Sequence, residues 1–420
     1  MSTADPRNSP AGGQNLALIK RLTFLMFMMF AMTTDSVGVI IPEVTKQFSL
    51  SLTAAGAFHY VTMSAIALAG IFLGYLADKL GRKKAIILGL VLFAANSYLF
   101  AVGNSYWFFL ALLAVSGAAI GIFKTGALAL IGDITTSTTD HTSTMNMVEG
   151  FFGVGAIIGP AIVTQLLHAG VSWKWLYVIA GTICLLLIGA AFMVRYPSTI
   201  RAIATPVSLK GTLAMVKDRY ALAFSFGIFL YVAAESAIYV WMPTLLAGYR
   251  GSAAWIAGYS LSIFFVLRAG GRFLGTWALA RCQWTTLLAL FSGAILLCFA
   301  GSMVGGIGAA VVLLPLSGLF MSVIYPTLNS KGISCFPKAK HGAVAGLILF
   351  FTCGAAALGP LAMGAVSDIF GAPKYGFVLA TAFTAILFAG SVLNWIFNPA
   401  RDRLHKLDLS EYQMEPEAHS

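Results

Sequence analysis

Charge is scarce in this sequence. Asp, Glu, Lys and Arg make up 10% of its 420 residues, against 59% apolar residues and a mean hydropathy of +0.87. A soluble domain carries about 25% charge, so a water-soluble globule is excluded. Cysteine is equally sparse. Cys184, Cys282, Cys298, Cys335 and Cys353 are odd in number and scattered; without metal-ligand spacing they read as reduced core or loop thiols. No glycine-rich loop ending in Lys-Ser/Thr is present, which argues against ATP hydrolysis as an energy source. No catalytic constellation stands out, so neither an enzyme nor a cofactor or metal is expected. The apolar runs are long and do not alternate, which excludes a closed barrel. A cleavable signal is excluded too, because the first run is too long and Asp35 interrupts it.

What is present is a succession of long apolar stretches. A helix needs about 20 apolar residues to cross the bilayer core. Twelve such spans are centred near residues 32, 65, 94, 119, 156, 184, 232, 266, 295, 318, 355 and 386. An all-α polytopic membrane protein is predicted. With both termini in the cytoplasm, 19 of the 26 Lys and Arg residues fall in inside segments. Only Lys46, Lys174, Arg250 and Lys374 lie in outside loops, and Lys124, Arg268 and Arg272 lie within spans. This positive-inside bias sets the orientation. It accounts for the net charge of +11 without a nucleic-acid partner. The expected partners are the lipid bilayer, a small-molecule substrate and a proton. The chain is expected as a monomer in a bacterial inner membrane.

The two halves repeat one another. Asp35-Ser36 pairs with Glu235-Ser236, and Gly159-Pro160 with Gly359-Pro360, both at an offset of 200. Pro42 with Pro243, Phe72-Leu73-Gly74 with Phe273-Leu274-Gly275, and Ser116-Gly117 with Ser317-Gly318 follow at 201. The expected division is a disordered cytoplasmic tail (1–17), a six-helix bundle (18–194), a cytoplasmic linker (195–219), a second bundle (220–398) and a C-terminal tail (399–420). An even number of spans per half makes the halves parallel repeats about an axis normal to the membrane. Two such bundles rocking about a mid-membrane site give alternating access.

A charge at mid-bilayer costs roughly 2.5–3.5 kcal/mol on insertion scales, so each one needs a reason. Asp35, Lys124, Glu149, Glu235 and Arg268 sit deep in the spans, with Arg272 one turn nearer the cytoplasm. Tyr231, Glu235 and Tyr239 share a helical face at i, i+4 and i+8. That stripe suits a sugar, with carboxylate to hydroxyls and rings to C–H faces; it equally suits an aromatic packing face holding one internally bonded acid. Arg268 is positioned to pair with Glu235 or with a substrate oxygen. Trp241, Asn146, Glu149 and Asn329 complete the candidate ligand set. His59 is either a proton relay or a structural histidine.

Between spans 2 and 3 lies a polar knot, Gly74-Tyr75-Leu76-Ala77-Asp78-Lys79-Leu80-Gly81-Arg82-Lys83-Lys84. Its glycines permit close approach, and its acid and bases can tie helix ends together. The string resembles the G-x-L-a-D-r-x-G-r-k loop of the major facilitator superfamily, which implies two pseudo-symmetric six-helix bundles and a cytoplasmic gate. Gly74, Asp78, Gly81, Arg82, Lys83 and, in span 8, Arg272 are the gate candidates. Three further strings are similar to the fucose permease family of proton-coupled fucose, galactose and glucose symporters. They are Leu230-Tyr231-Val232-Ala233-Ala234-Glu235, Gly271-Arg272-Phe273-Leu274-Gly275 and Gly318 to Thr327 with Tyr325-Pro326.

The resemblance implies a proton-coupled symporter of a monosaccharide or sugar derivative. It makes Asp35 a proton-coupling acid, with spans 1 and 4 both lining the cavity. Span 4 departs from that pattern. The family's E-T-A-a-N-P reads here Lys124-Thr125-Gly126-Ala127-Leu128-Ala129. Lys124 therefore either pairs with Asp35 as a coupling switch or selects a sugar acid or other organic anion. A drug/proton antiporter is the remaining alternative, since Gly155 to Pro160 resembles the antiporter G-x-x-x-G-P motif. Its recurrence at Gly354 to Pro360 points instead to a packing device in both halves.

Overall fold

The computed structural model describes residues 10–73, 76–135, 138–197, 215–279, 281–337 and 340–407. The described residues form helices joined by short turns, with no strand among them. They belong to two compact units: Met1–Leu50 with Ala54–Ala202, and Ile203–Ser420 with Ser51–Thr53. Among the described residues, eleven helices are long and apolar enough to cross a membrane. The twelfth of the expected set, at Ser260–Leu279, is 20 residues long. Arg268 and Arg272 interrupt its apolar run.

In the first unit α1 (Pro10–Thr34) and α2 (Val37–Phe48) are one span broken at Asp35-Ser36. Hydroxyls produce the break. Thr33 and Thr34 both donate to the Phe30 carbonyl at 2.9 and 3.2 Å, and Ser36 donates to Met32 at 2.5 Å. Such back-bonding competes with main-chain N–H groups and bends helices. The unit continues with α3 (Ala57–Leu73), α4 (Arg82–Val102), α5 (Tyr106–Ile134), α6 (Thr138–His168) and α7 (Trp175–Met193).

Small residues set how closely these helices approach. A Cβ on Gly155 or Gly159 of α6 would collide with the Met28 or Met32 carbonyl of α1. On α5, Gly117 and Gly121 meet the Thr62 and Ile66 carbonyls of α3 in the same way. A core of Phe27, Phe30, Phe93 and Phe123 fills the space between α1, α4 and α5.

Helices α4 and α7 are joined reciprocally. Lys83, in the first turn of α4, donates to the Val194 carbonyl just past the end of α7, at 2.7 Å. Lys174, at the start of α7, donates to the Gly103 carbonyl just past the end of α4, at 2.6 Å. Each ammonium thus meets the negative end of the other helix. Between the caps, Phe100 stacks on Tyr177 at 3.7 Å and Tyr98 bonds Thr182 at 3.0 Å.

In the second unit α8 (Arg219–Ser236) passes through a wide π turn at Ala237–Trp241 into α9 (Met242–Leu246). Pro243 has no N–H for the Tyr239 carbonyl, and the widened turn absorbs that loss. Then come α10 (Ser260–Leu279), α11 (Trp284–Val304), α12 (Gly306–Met321) and α13 (Ile324–Ser334). The last two are one span broken at Ser322-Val323, where Pro326 offers no N–H to the Ser322 carbonyl. Helix α14 (His341–Phe370) and α15 (Pro373–Phe397) complete the bundle. Gly359 of α14 faces Ala233 and the Ser236 hydroxyl of α8, and a Cβ added there would lie 3.0 Å from Ala233. The glycine–proline segment is therefore a packing device in both units.

A short helix, α16 (Arg401–Leu407), is fastened to this bundle through Arg403. The Arg403 Nε donates to the Cys335 carbonyl at 2.6 Å, and both terminal nitrogens lie 3.3 Å from Asp218 Oδ2. Its guanidinium also sits over the Tyr220 and Phe336 rings, at 4.7 and 4.4 Å. Asp218 in turn caps α8 by accepting from the Tyr220 and Ala221 N–H groups.

Candidate functional site

Both repeated acids stand where their helix departs from α geometry. Asp35 lies in the turn between α1 and α2, half-buried, with Thr34 Oγ1 2.9 Å from its Oδ2. Glu235 is the penultimate residue of α8 before the π turn. The pairing at offset 200 thus has a structural counterpart. Such points free main-chain groups and place polar side chains inside a membrane bundle without a fully regular helix around them.

Glu235 is the centre of a buried polar cluster. Its side chain is 8% exposed and its Oε1 lies 2.7 Å from an Arg268 terminal nitrogen of α10. The same oxygen accepts the Tyr231 hydroxyl at 2.8 Å. Tyr231 is 1% exposed, and its hydroxyl also lies 2.9 Å from the carbonyl of Met321, the last residue of α12. One hydroxyl hydrogen therefore serves two acceptors. Chemically, the cluster is a carboxylate whose Oε1 is held by a guanidinium and a phenol, and a carboxylate has lone pairs for more than two donors.

Of the aromatic stripe expected around Glu235, Tyr231 is enclosed and Tyr239 half-buried. Trp241 is 3% exposed and donates its indole N–H to the Pro360 carbonyl of α14 at 3.1 Å, so it holds helices together. Arg268 pairs with Glu235, one of the two roles read from the sequence. Asn329 on α13 is half-buried, while Asn146 and Glu149 on α6 are exposed.

In the first unit Lys124 of α5 is half-buried, with its ammonium 5.2 Å from the Phe152 ring centroid. His59 is buried on α3. Gly74 and the Asp78 side chain lie outside the described residues. Gly81 has φ +88°, a conformation open to glycine, and starts α4. Arg82 Nε then lies 2.9 Å from Asp133 Oδ2 near the end of α5, with side chains 9% and 13% exposed. Lys83 reaches the end of α7. The knot does tie helix ends together, and its acid partner Asp133 was not recognised from sequence. A second pair at this end, Lys20 with Asp140 at 2.6 Å, joins α1 to α6. Arg272 is exposed on α10.

Comparison with known proteins agrees with this architecture. The chain is 26% identical over 404 residues to the L-fucose-proton symporter of Escherichia coli (strain K12), spanning 86% of this chain and 90% of that protein. It is 24% identical over 397 residues to a glucose/galactose transporter of Brucella abortus biovar 1 (strain 9-941), covering 88% and 94%. The crystal structure of nucleoside transporter NupG superposes with a TM-score of 0.72 at 15% identity, covering 90% and 98%, which establishes a common fold. Residues 23–360 match the family model of the Major Facilitator Superfamily. With spans repeated in two helical units, acids at matching helix breaks and that match over most of its length, the chain belongs to the Major Facilitator Superfamily.

Proposed function

We propose that this protein is a secondary active transporter that carries a monosaccharide or sugar derivative together with a proton, by alternating access. The observation that carries the reading is the Glu235–Arg268 pair, 2.7 Å apart inside a membrane-spanning bundle. Ionisable groups at that depth are costly and are a mark of transport pathways. The Glu235 carboxylate is suited to a sugar hydroxyl, and both relatives described above are named for sugars. Tyr239, Asn146, Glu149 and Asn329 are the further ligands. Asp35, at the helix break of the first unit, is the coupling acid, and Lys124 is its basic counterpart.

Both termini face the cytoplasm of a bacterial inner membrane in this reading. The Arg82–Asp133 tie and Arg272 belong to the cytoplasmic gate, with Gly74 and Asp78. Uptake of radiolabelled neutral hexoses into proteoliposomes, driven by an inward proton gradient, tests the proposal. Accumulation that collapses with an uncoupler supports it; downhill exchange insensitive to the gradient refutes proton coupling.

One observation favours a second substrate class. Lys124 places an ammonium beside the Phe152 ring in an apolar span, a setting in which a sugar acid or organic anion finds a counter-charge. Lys124→Ala separates the two. Loss of anion transport with neutral sugars spared favours the anion; parallel loss of proton coupling favours the sugar symporter.

A further inference from the structure

The hydrogen-bond geometry around Glu235 connects the candidate ligand site to a mechanical feature elsewhere in the same unit. Met321 closes α12, so its carbonyl is among those with no donor inside that helix. After two intervening residues α13 begins, and the helix axis can change direction there because Pro326 cannot donate to Ser322. The Tyr231 hydroxyl touches this break at 2.9 Å and Glu235 Oε1 at 2.8 Å. Tyr231 is wholly enclosed, and its hydroxyl has a single hydrogen for two acceptors.

We infer that Tyr231 is a positioning residue that couples occupancy of Glu235 to the break between α12 and α13. With Glu235 empty, Oε1 competes with the Met321 carbonyl for the hydroxyl hydrogen. A sugar hydroxyl donating to the carboxylate draws electron density from Oε1 and weakens it as an acceptor. The Tyr231 hydrogen then turns to Met321 and holds the break in one arrangement. A ligand that never touches α12 thereby biases its geometry, as coupling requires two arrangements that the ligand favours unequally. The inference deepens the sugar-symporter reading and rests on it for the identity of the ligand alone.

Tyr231→Phe tests it, since the ring and its packing are kept and only the hydroxyl is lost. Uptake velocity is expected to fall about tenfold, the weight of one hydrogen bond to a charged group, while the sugar concentration for half-saturation stays within about twofold. Pro326→Ala, which leaves Tyr231 untouched and restores an N–H opposite Ser322, is expected to give the same split should Tyr231→Phe fail to insert. A ligand-independent readout accompanies both. Ser330 is exposed on α13. A cysteine there, with Cys282 and Cys353 replaced by serine, is alkylated by a membrane-impermeant maleimide at a rate that reports the segment beyond the break. That rate is expected to change in Tyr231→Phe without any sugar. Unchanged velocity with unchanged alkylation overturns the inference, and so does a parallel loss of binding and velocity, which makes Tyr231 a ligand anchor. If the parent protein binds no sugar while alkylation still shifts, the substrate reading fails and the mechanical link stands.

Discussion

Replacing Glu235 with glutamine keeps an acceptor for the Tyr231 hydroxyl and removes the negative charge facing Arg268. The two side chains are 8% and 25% exposed and lie 2.7 Å apart. Breaking a buried pair from one side costs about 3–5 kcal/mol, because the remaining charge is stranded. With a quarter of the Arg268 side chain open, the lower end applies, about 3 kcal/mol for Glu235→Gln. Arg268→Gln strands the carboxylate instead and costs a similar amount. The double variant strands nothing and gives up only a charge-assisted contact, a loss of about 1 kcal/mol. The double is therefore expected to be more stable than either single by about 2 kcal/mol, a strongly non-additive cycle. Thermal unfolding of the four purified proteins in one detergent, followed by tryptophan fluorescence, reads the order of their midpoints. Losses that simply add, with the double below both singles, refute the argument that the pair is held by mutual compensation.

Other outcomes follow from the packing and the charges. Gly159→Ala drives a methyl group into the Met32 carbonyl, whereas Gly359→Ala meets its nearest neighbour at 3.0 Å. The first is expected to destabilise by about 3 kcal/mol and the second by about 1 kcal/mol, checked by the same unfolding measurement. Asp35→Asn is expected to abolish gradient-driven accumulation while leaving sugar counterflow intact; accumulation that persists removes Asp35 from coupling. Burial pushes the Cys335 thiol up to about 11, so at pH 8 about 0.1% is thiolate and maleimide leaves it unmodified. Cys282 is exposed and is expected to react at that pH, and mass spectrometry of the labelled peptides distinguishes the two.

The span pattern, the repeat and the pairing of Glu235 with Arg268 were legible because each rests on local signals. Length and apolarity mark a span, and a charge in lipid demands a partner. The breaks were less visible. Hydroxyls at Thr33, Thr34 and Ser36 bend a helix only by choosing particular carbonyls, a choice that composition does not reveal. The bond from Tyr231 to Met321 crosses 90 positions and ends on a main-chain oxygen, so no side-chain motif announces it. Asp133 was overlooked for a similar reason. It sits near a helix end where an acid is unremarkable until Arg82 of another helix is seen against it. Trp241 was read as a ligand because aromatic rings near an acid suit sugars; its indole N–H is committed to Pro360.

The reciprocal lysines of α4 and α7 carry a consequence for measuring motion. Two antiparallel rods pinned at both ends cannot slide or splay without releasing one of the pins. A pair of spectroscopic probes, one on each rod, should therefore keep a constant separation throughout the transport cycle. That pair supplies an internal ruler, against which displacement at the broken spans α1–α2 and α12–α13 can be expressed in ångströms.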